Sequence, residues 1–173
     1  MEHLQYPIGR FESITDPTQA MRDGWIADVA GLANQLRRTV DNLNQEQIST
    51  PYRPGGWTVQ QVIHHMADND MNAFNRFKRA LTEDSPLASS YREDLWAELS
   101  DYQLPIGTSI QLLDAIHTRF VAVLRSMDST HFTKTFTSPV LGLLSLEVAL
   151  QRFVWHDRHH IAQIASLKER MGW

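Results

Sequence analysis

Apolar residues recur along most of this chain at steps of three and four, the repeat of a helix with one buried face. Met21, Trp25, Val29, Leu32, Leu36, Val40 and Leu43 form the first such series. Asp16-Pro17 stands just before it and predicts a helix opened by an aspartate cap, with proline at the first helical position and Gln19 completing a capping box. Residues 1–15 read as an extended arm. A second stripe, Val62, Met66, Ala73, Phe77 and Ala80, belongs to a helix predicted from a Thr58 cap, with Gln61 in the box position, to about Thr82. Leu113, Ile116, Phe120, Val123, Leu124 and Met127 mark a third, starting near Thr108 or Ser109. The fourth runs from Ser145 to about Arg170 through Leu146, Ala149, Phe153, Ile164, Leu167 and Met171.

The connections are broken by proline and glycine. Pro51, Pro54 and Gly55-Gly56 interrupt the first. Residues 83–107 form a long link with a short helix expected within Tyr91–Tyr102. In residues 128–144, Phe132–Phe136 and Val140–Leu144 either pair as a small hairpin or form a Thr-rich loop. Four amphipathic helices with two long links predict an all-α four-helix bundle in a single domain over residues 1–173.

One gap in the fourth stripe, between Phe153 and Ile164, is filled by His156 and His160. Residues four apart project from the same helix face, so both imidazoles point toward the core. His65 lies beside Val62 and Met66 on the second stripe. At about 1.5 Å rise per residue, His65 sits roughly 10 Å along its helix and the pair roughly 16–22 Å along theirs, so antiparallel helices could bring them to one depth. Unpaired imidazoles are costly to bury, and a shared metal ion would satisfy all three. The alternative is hydrogen bonding to buried carbonyls or to one another. All-nitrogen ligation suits Zn²⁺, Ni²⁺, Cu²⁺ or Fe²⁺ rather than Mg²⁺ or Ca²⁺, and three ligands leave a position for water or substrate.

Asp68 is a candidate general base or partner to a ligand, against a solvated or capping carboxylate. Asn69, one turn beyond His65, is placed in the same cavity. His64 and His159 read as outer partners or surface residues, Asp157 and Arg158 as surface charges, and the tryptophans as packing. His3, His117 and His131 are isolated, with nothing around them to suggest chemistry. The sequence lacks the H-E-x-x-H pattern of many zinc proteases.

Composition narrows the function further. A formal net charge of −4 without basic blocks argues against nucleic acid. The absence of cysteine removes disulfides, thiolate ligands and a cysteine nucleophile, and is compatible with a reducing cytoplasm. MEHLQYPIGRFE carries charge and no apolar run, so no secretory leader is expected, and no stretch is apolar enough for a membrane span.

Two segments carry a family likeness. Trp57 through His65-Met-Ala-Asp68 resembles the first signature of the DinB/YfiT-like superfamily, and His156-Asp-Arg-His159-His160-Ile-Ala-Gln163 resembles its second. Asn75–Glu83 and Tyr6-Pro-Ile-Gly-Arg10-Phe look like the YfiT branch. The resemblance implies a DinB-like bundle, often up-down-down-up and commonly a homodimer, with zinc or nickel held by His65, His156 and His160. It also implies a metal-dependent hydrolase, or a thiol S-transferase using bacillithiol or a similar low-molecular-weight thiol. Either would be a small cytoplasmic enzyme acting on a small molecule. A non-catalytic metal-binding stress module is the reading from another class.

Overall fold

The computed structural model describes residues 2–173. Its four long helices are α1 (Gln19–Val40), α2 (Val59–Thr82), α3 (Ile106–Arg125) and α4 (Leu146–Met171). The stripes predicted from sequence form their buried faces, though Met21 and Val123 are only partly buried and Met171, at the end of α4, is exposed. Thr58 caps α2 as expected, its hydroxyl accepting from the Gln61 amide while the Gln61 side chain returns to the Thr58 N–H.

Cross-helix contacts give the chain directions. Arg22–Glu147, Asp28–Arg158 and Lys168 to the Thr39 carbonyl rise together, so α1 and α4 are parallel. His64–Ser109, Asp70–His117 and Phe77–Phe120 do the same for α2 and α3. His65–His160 and Asn69–His156 run in opposite order, so α2 and α4 are antiparallel. The bundle is therefore up-down-down-up. Each of α1 and α2 packs against both α3 and α4, which sets α1 diagonal to α2 and α3 diagonal to α4. That placement is why long links are needed: two of the three join diagonal partners, and the α2–α3 link joins neighbours that run parallel, so it must return the length of the bundle.

Several local expectations are corrected. The first helix opens on Thr18, whose side chain accepts from the Met21 amide, and not on Asp16-Pro17. Asp16 has φ of 50°, outside the extended backbone that a capping residue needs. The third helix begins at Ile106 directly after Pro105, because the Ser109 hydroxyl is engaged by His64 rather than capping the helix. Residues 91–102 hold two separate turns, Glu93–Trp96 and Ser100–Gln103, instead of one helix. The arm contains a helical turn, Glu2–Gln5.

The hairpin forms, from β1 (Thr135–Ser138) and β2 (Gly142–Ser145), paired antiparallel. Its strands are shifted from the expected segments because Ser129–Phe132 is a helical turn capped by Asp128. The α2–α3 link joins it: the Thr137 N–H donates to the Pro86 carbonyl, and the Ala88 N–H donates to the Thr137 carbonyl. Phe77, Phe120 and Phe153 stack edge to face below this hairpin, with ring centroids 4.7 and 5.0 Å apart. Among the described residues no helix is long and apolar enough to cross a membrane.

Candidate metal centre

The antiparallel pairing of α2 and α4 brings His65 against His156 and His160. Each of the three offers a ring nitrogen, and these nitrogens all lie within 4.8 Å of one another. His65 Nε2 is 3.2 Å from His156 Nε2. Two nitrogens bonded to one ion at about 2.1 Å in tetrahedral geometry stand roughly 3.4 Å apart, so the spacing fits shared coordination. Trp57 packs on the outer side of His65, with centroids 4.7 Å apart, and fixes its ring.

Gln163 settles the state of His160. Its amide nitrogen must donate to the Gln5 carbonyl, 2.8 Å away, because that carbonyl can only accept. The same nitrogen donates to His159 Nε2 at 2.9 Å. Gln163 Oε1 therefore faces His160 Nδ1, at 2.8 Å, and that nitrogen carries the proton. His160 Nε2 is left with its lone pair directed at the cluster, the state a metal ligand requires.

Burial keeps the rings neutral. It lowers His65 to about 4, and it pushes His156 and His160 well below the ordinary histidine value, helped by neighbouring imidazoles and, at His156, by Arg152. His64, His117 and His159 are lowered too, each chiefly by burial. These six groups stabilise the metal-free fold above 6.5, and the contribution is lost as the pH falls below it, through about 4 for His65 and His159. Asp70, raised by burial to about 8, acts in the opposite sense: its contribution is present below 3.8 and lost as the pH rises through 8. Asp68, Glu93 and Asp157, also raised by burial, act with Asp70, but the six imidazoles outnumber these four carboxyls, so unfolding free energy of the metal-free protein is expected to drop between about pH 7 and pH 4 in urea titrations; no change over that window contradicts the burial of these rings.

Next to the histidine cluster is a polar network that the sequence reading missed. Asp70 and Asp157 are fully buried, and their carboxylates lie with His156 Nδ1 in one group of atoms within 4.8 Å. Burial raises both carboxyls; the charge of Asp70 raises Asp157 further, while a hydrogen bond with Asp157 offsets part of the rise at Asp70. His117 Nε2 donates to Asp70 Oδ2 at 2.6 Å, and Asn69 donates to Asp70 Oδ1 at 3.2 Å. Asp157 Oδ1 lies 3.5 Å from His156 Nδ1, on the side of that ring away from His65. Asp157 is thus no surface charge, and His117 is not isolated. Helix α4 is enclosed by α1, α2, the hairpin and the arm, so more than one of its faces is dry.

Other expected positions divide. Asn69 lines the site, 3.2 Å from His156 Nδ1. Asp68 turns elsewhere and accepts from the Tyr102 hydroxyl at 2.7 Å. His64 is a buried structural link, donating to the Leu104 carbonyl and bonded to Ser109. His159 is buried between Gln163 and the stacked Trp155 ring. Arg158 pairs with Asp28 at the surface, as expected.

A cavity of about 340 Å³ opens over the three histidines, with Tyr6, Arg53, Trp57 and Glu93 in its walls. Burial, then the charge of Asp94, raises the Glu93 carboxyl. The sequence alone gave no sign that this residue of the α2–α3 link reaches the site.

The model of the DinB superfamily matches residues 17–164. The chain belongs to the DinB superfamily. Relatives matching it over 173 residues, all of both chains, include proteins of Bacillus mycoides strain KBAB4, 44% identical, and Bacillus cereus strain B4264, 45% identical. Both carry the name "Putative metal-dependent hydrolase". Among solved structures, YfiT from Bacillus subtilis superposes with a TM-score of 0.96 at 40% identity over 99% of each chain. It is described as "a probable metal-dependent hydrolase with an unusual four-helix bundle topology". The four-helix bundle protein TT2238, at 19% identity and TM-score 0.58 over 88% of this chain and 99% of its own, shares the fold.

Proposed function

We propose that this DinB-superfamily protein is a metal-dependent hydrolase whose single divalent ion, zinc or nickel, is held by His65, His156 and His160. The observation that carries the reading is the convergence of three neutral imidazoles, with His160 Nε2 left free by the Gln163 hydrogen bond. The donor set suits the group: three nitrogens, no competing carboxylate inside the cluster, and spacing compatible with common bonds. When bound, such an ion supplies a Lewis acid that polarises a substrate oxygen or lowers the pKa of water.

The chain's own residues do the rest. Gln163 holds the His160 ring in one tautomer, and Trp57 fixes His65. Asn69 and Asp157 flank His156 Nδ1 and set its orientation. Glu93, an exposed residue of the cavity wall, accepts a proton from the attacking water in this reading. This carboxylate favours hydrolysis over thiol transfer, because a thiolate attack would need no such base.

The test is turnover of ester and amide panels by zinc- and nickel-loaded protein, with and without low-molecular-weight thiols and an electrophile. Cleavage without thiol is expected, and Glu93→Gln should lower kcat by about 10²-fold or more while metal content stays unchanged. Turnover only with a thiol and an electrophile would replace the hydrolase by the S-transferase. Full activity in Glu93→Gln would remove Glu93 from the reaction.

A further inference from the structure

His156 and Trp155 line two cavities, the open one over the histidines and a second between α2, α4 and the hairpin. The second holds about 140 Å³, close to the roughly 150 Å³ of an engineered cavity that takes up benzene. Phe77, Phe136, Leu144 and Phe153 give it apolar walls. Two arginines, Arg76 and Arg152, line it as well, beside the polar Asn69 and Ser138.

Both arginines are partly buried, and neither has a carboxylate partner among the described residues, unlike the part-buried Arg22, which pairs with Glu147. Arg76 Nε is buried without any hydrogen-bond partner, and its Nη2 donates only to the Ser89 carbonyl. The Arg152 guanidinium carbon lies 4.7 Å from the Phe11 ring centroid, and among the described residues no side-chain hydrogen bond engages its N–H groups. Burial lowers both guanidinium pKa values, the mark of charges partly stripped of water and not compensated by an anion. Apolar walls with two such cations match a ligand that is apolar in the body and anionic at one end.

We infer that this second cavity is the specificity pocket of the same site, and that Arg76 and Arg152 recognise a carboxylate on a compact apolar acyl or aryl group of the substrate. The inference rests on the hydrolase reading above, since it puts the rest of that substrate past His156 in the open cavity. The substrate class is a small ester or amide with a free carboxylate on its apolar part.

Benzoate and its uncharged isostere benzamide are the probes, titrated into metal-loaded and metal-free protein and followed by NMR shifts of the arginine side chains. Benzoate is expected to bind at least about tenfold more tightly than benzamide, and Arg76→Gln or Arg152→Gln to cost about tenfold in benzoate affinity without changing metal content. Arg152→Lys keeps the charge and should retain part of the affinity, which separates recognition from a packing defect. Equal binding of the two probes, no benzoate binding, or affinity unchanged in both glutamine variants would overturn the inference. Benzoate binding that disappears with the metal would overturn it too, by putting the carboxylate on the ion. Failure of the metal centre leaves a different trace: no metal bound, with the arginine-dependent benzoate binding still present.

Discussion

Replacing His160 by alanine is expected to abolish stoichiometric metal binding while the helical fold is kept. The ring supplies one of only three nitrogens in the cluster, and the nearest carboxylates, Asp70 and Asp157, group with His156 rather than with His160. No neighbour can take its place. The loss should exceed the 10–100-fold in affinity that typically follows from removing an outer partner of a ligand. Gln163→Ala provides that smaller comparison. It leaves all three nitrogens in place but frees His160 to place its proton on either nitrogen, so about 10–100-fold is expected for it. Elemental analysis of the purified variants, with calorimetric titration of zinc and nickel, reads both effects. Equal affinities in His160→Ala and the parent chain would remove the site.

The largest effect on stability is expected at Asp70. This carboxyl is fully buried, accepts from His117 at 2.6 Å, and shares the strain of a second buried carboxyl at Asp157. Asp70→Ala strands the His117 N–H and leaves a hole beside Asp157, which should cost about 1–3 kcal/mol for the unsatisfied buried donor and more for the cavity. Asp70→Asn should cost about 1 kcal/mol or less, because the amide oxygen still accepts from His117 and burial already disfavours a charge at this position. Urea unfolding of the two variants at pH values near neutrality measures the difference. Similar losses in both would mean that the hydrogen bond from His117 contributes little.

These two residues also mark how much of the site could be read from the chain. His65, His156 and His160 were legible because each interrupts an apolar stripe, and a stripe shows which way a side chain points before any fold is known. The bundle was legible for the same reason. Asp157 was not, since it lies beside His156 on a face that a single stripe assigns to water. Only the enclosure of α4 on several sides buries it. His117 and Asp70 sit on different helices, and their pairing depends on α2 and α3 running parallel, which no local pattern encodes. Glu93 reaches the cavity through the folding of a long link. Asp68 was singled out for its closeness in sequence to His65, yet three positions on a helix were enough to turn it to Tyr102. Gln163 entered only as part of a family signature. The structure gives that glutamine a reason, as the residue that fixes the proton of one imidazole and accommodates another.

The most direct measurement is an anomalous-difference map from crystals of the chain loaded with nickel or zinc, collected at the absorption edge of that metal. One strong peak is expected per chain, about 2.0–2.1 Å from the Nε2 atoms of His65, His156 and His160 together. A peak beside Asp70 and Asp157 instead, or no peak within bonding reach of the three rings, would contradict the account.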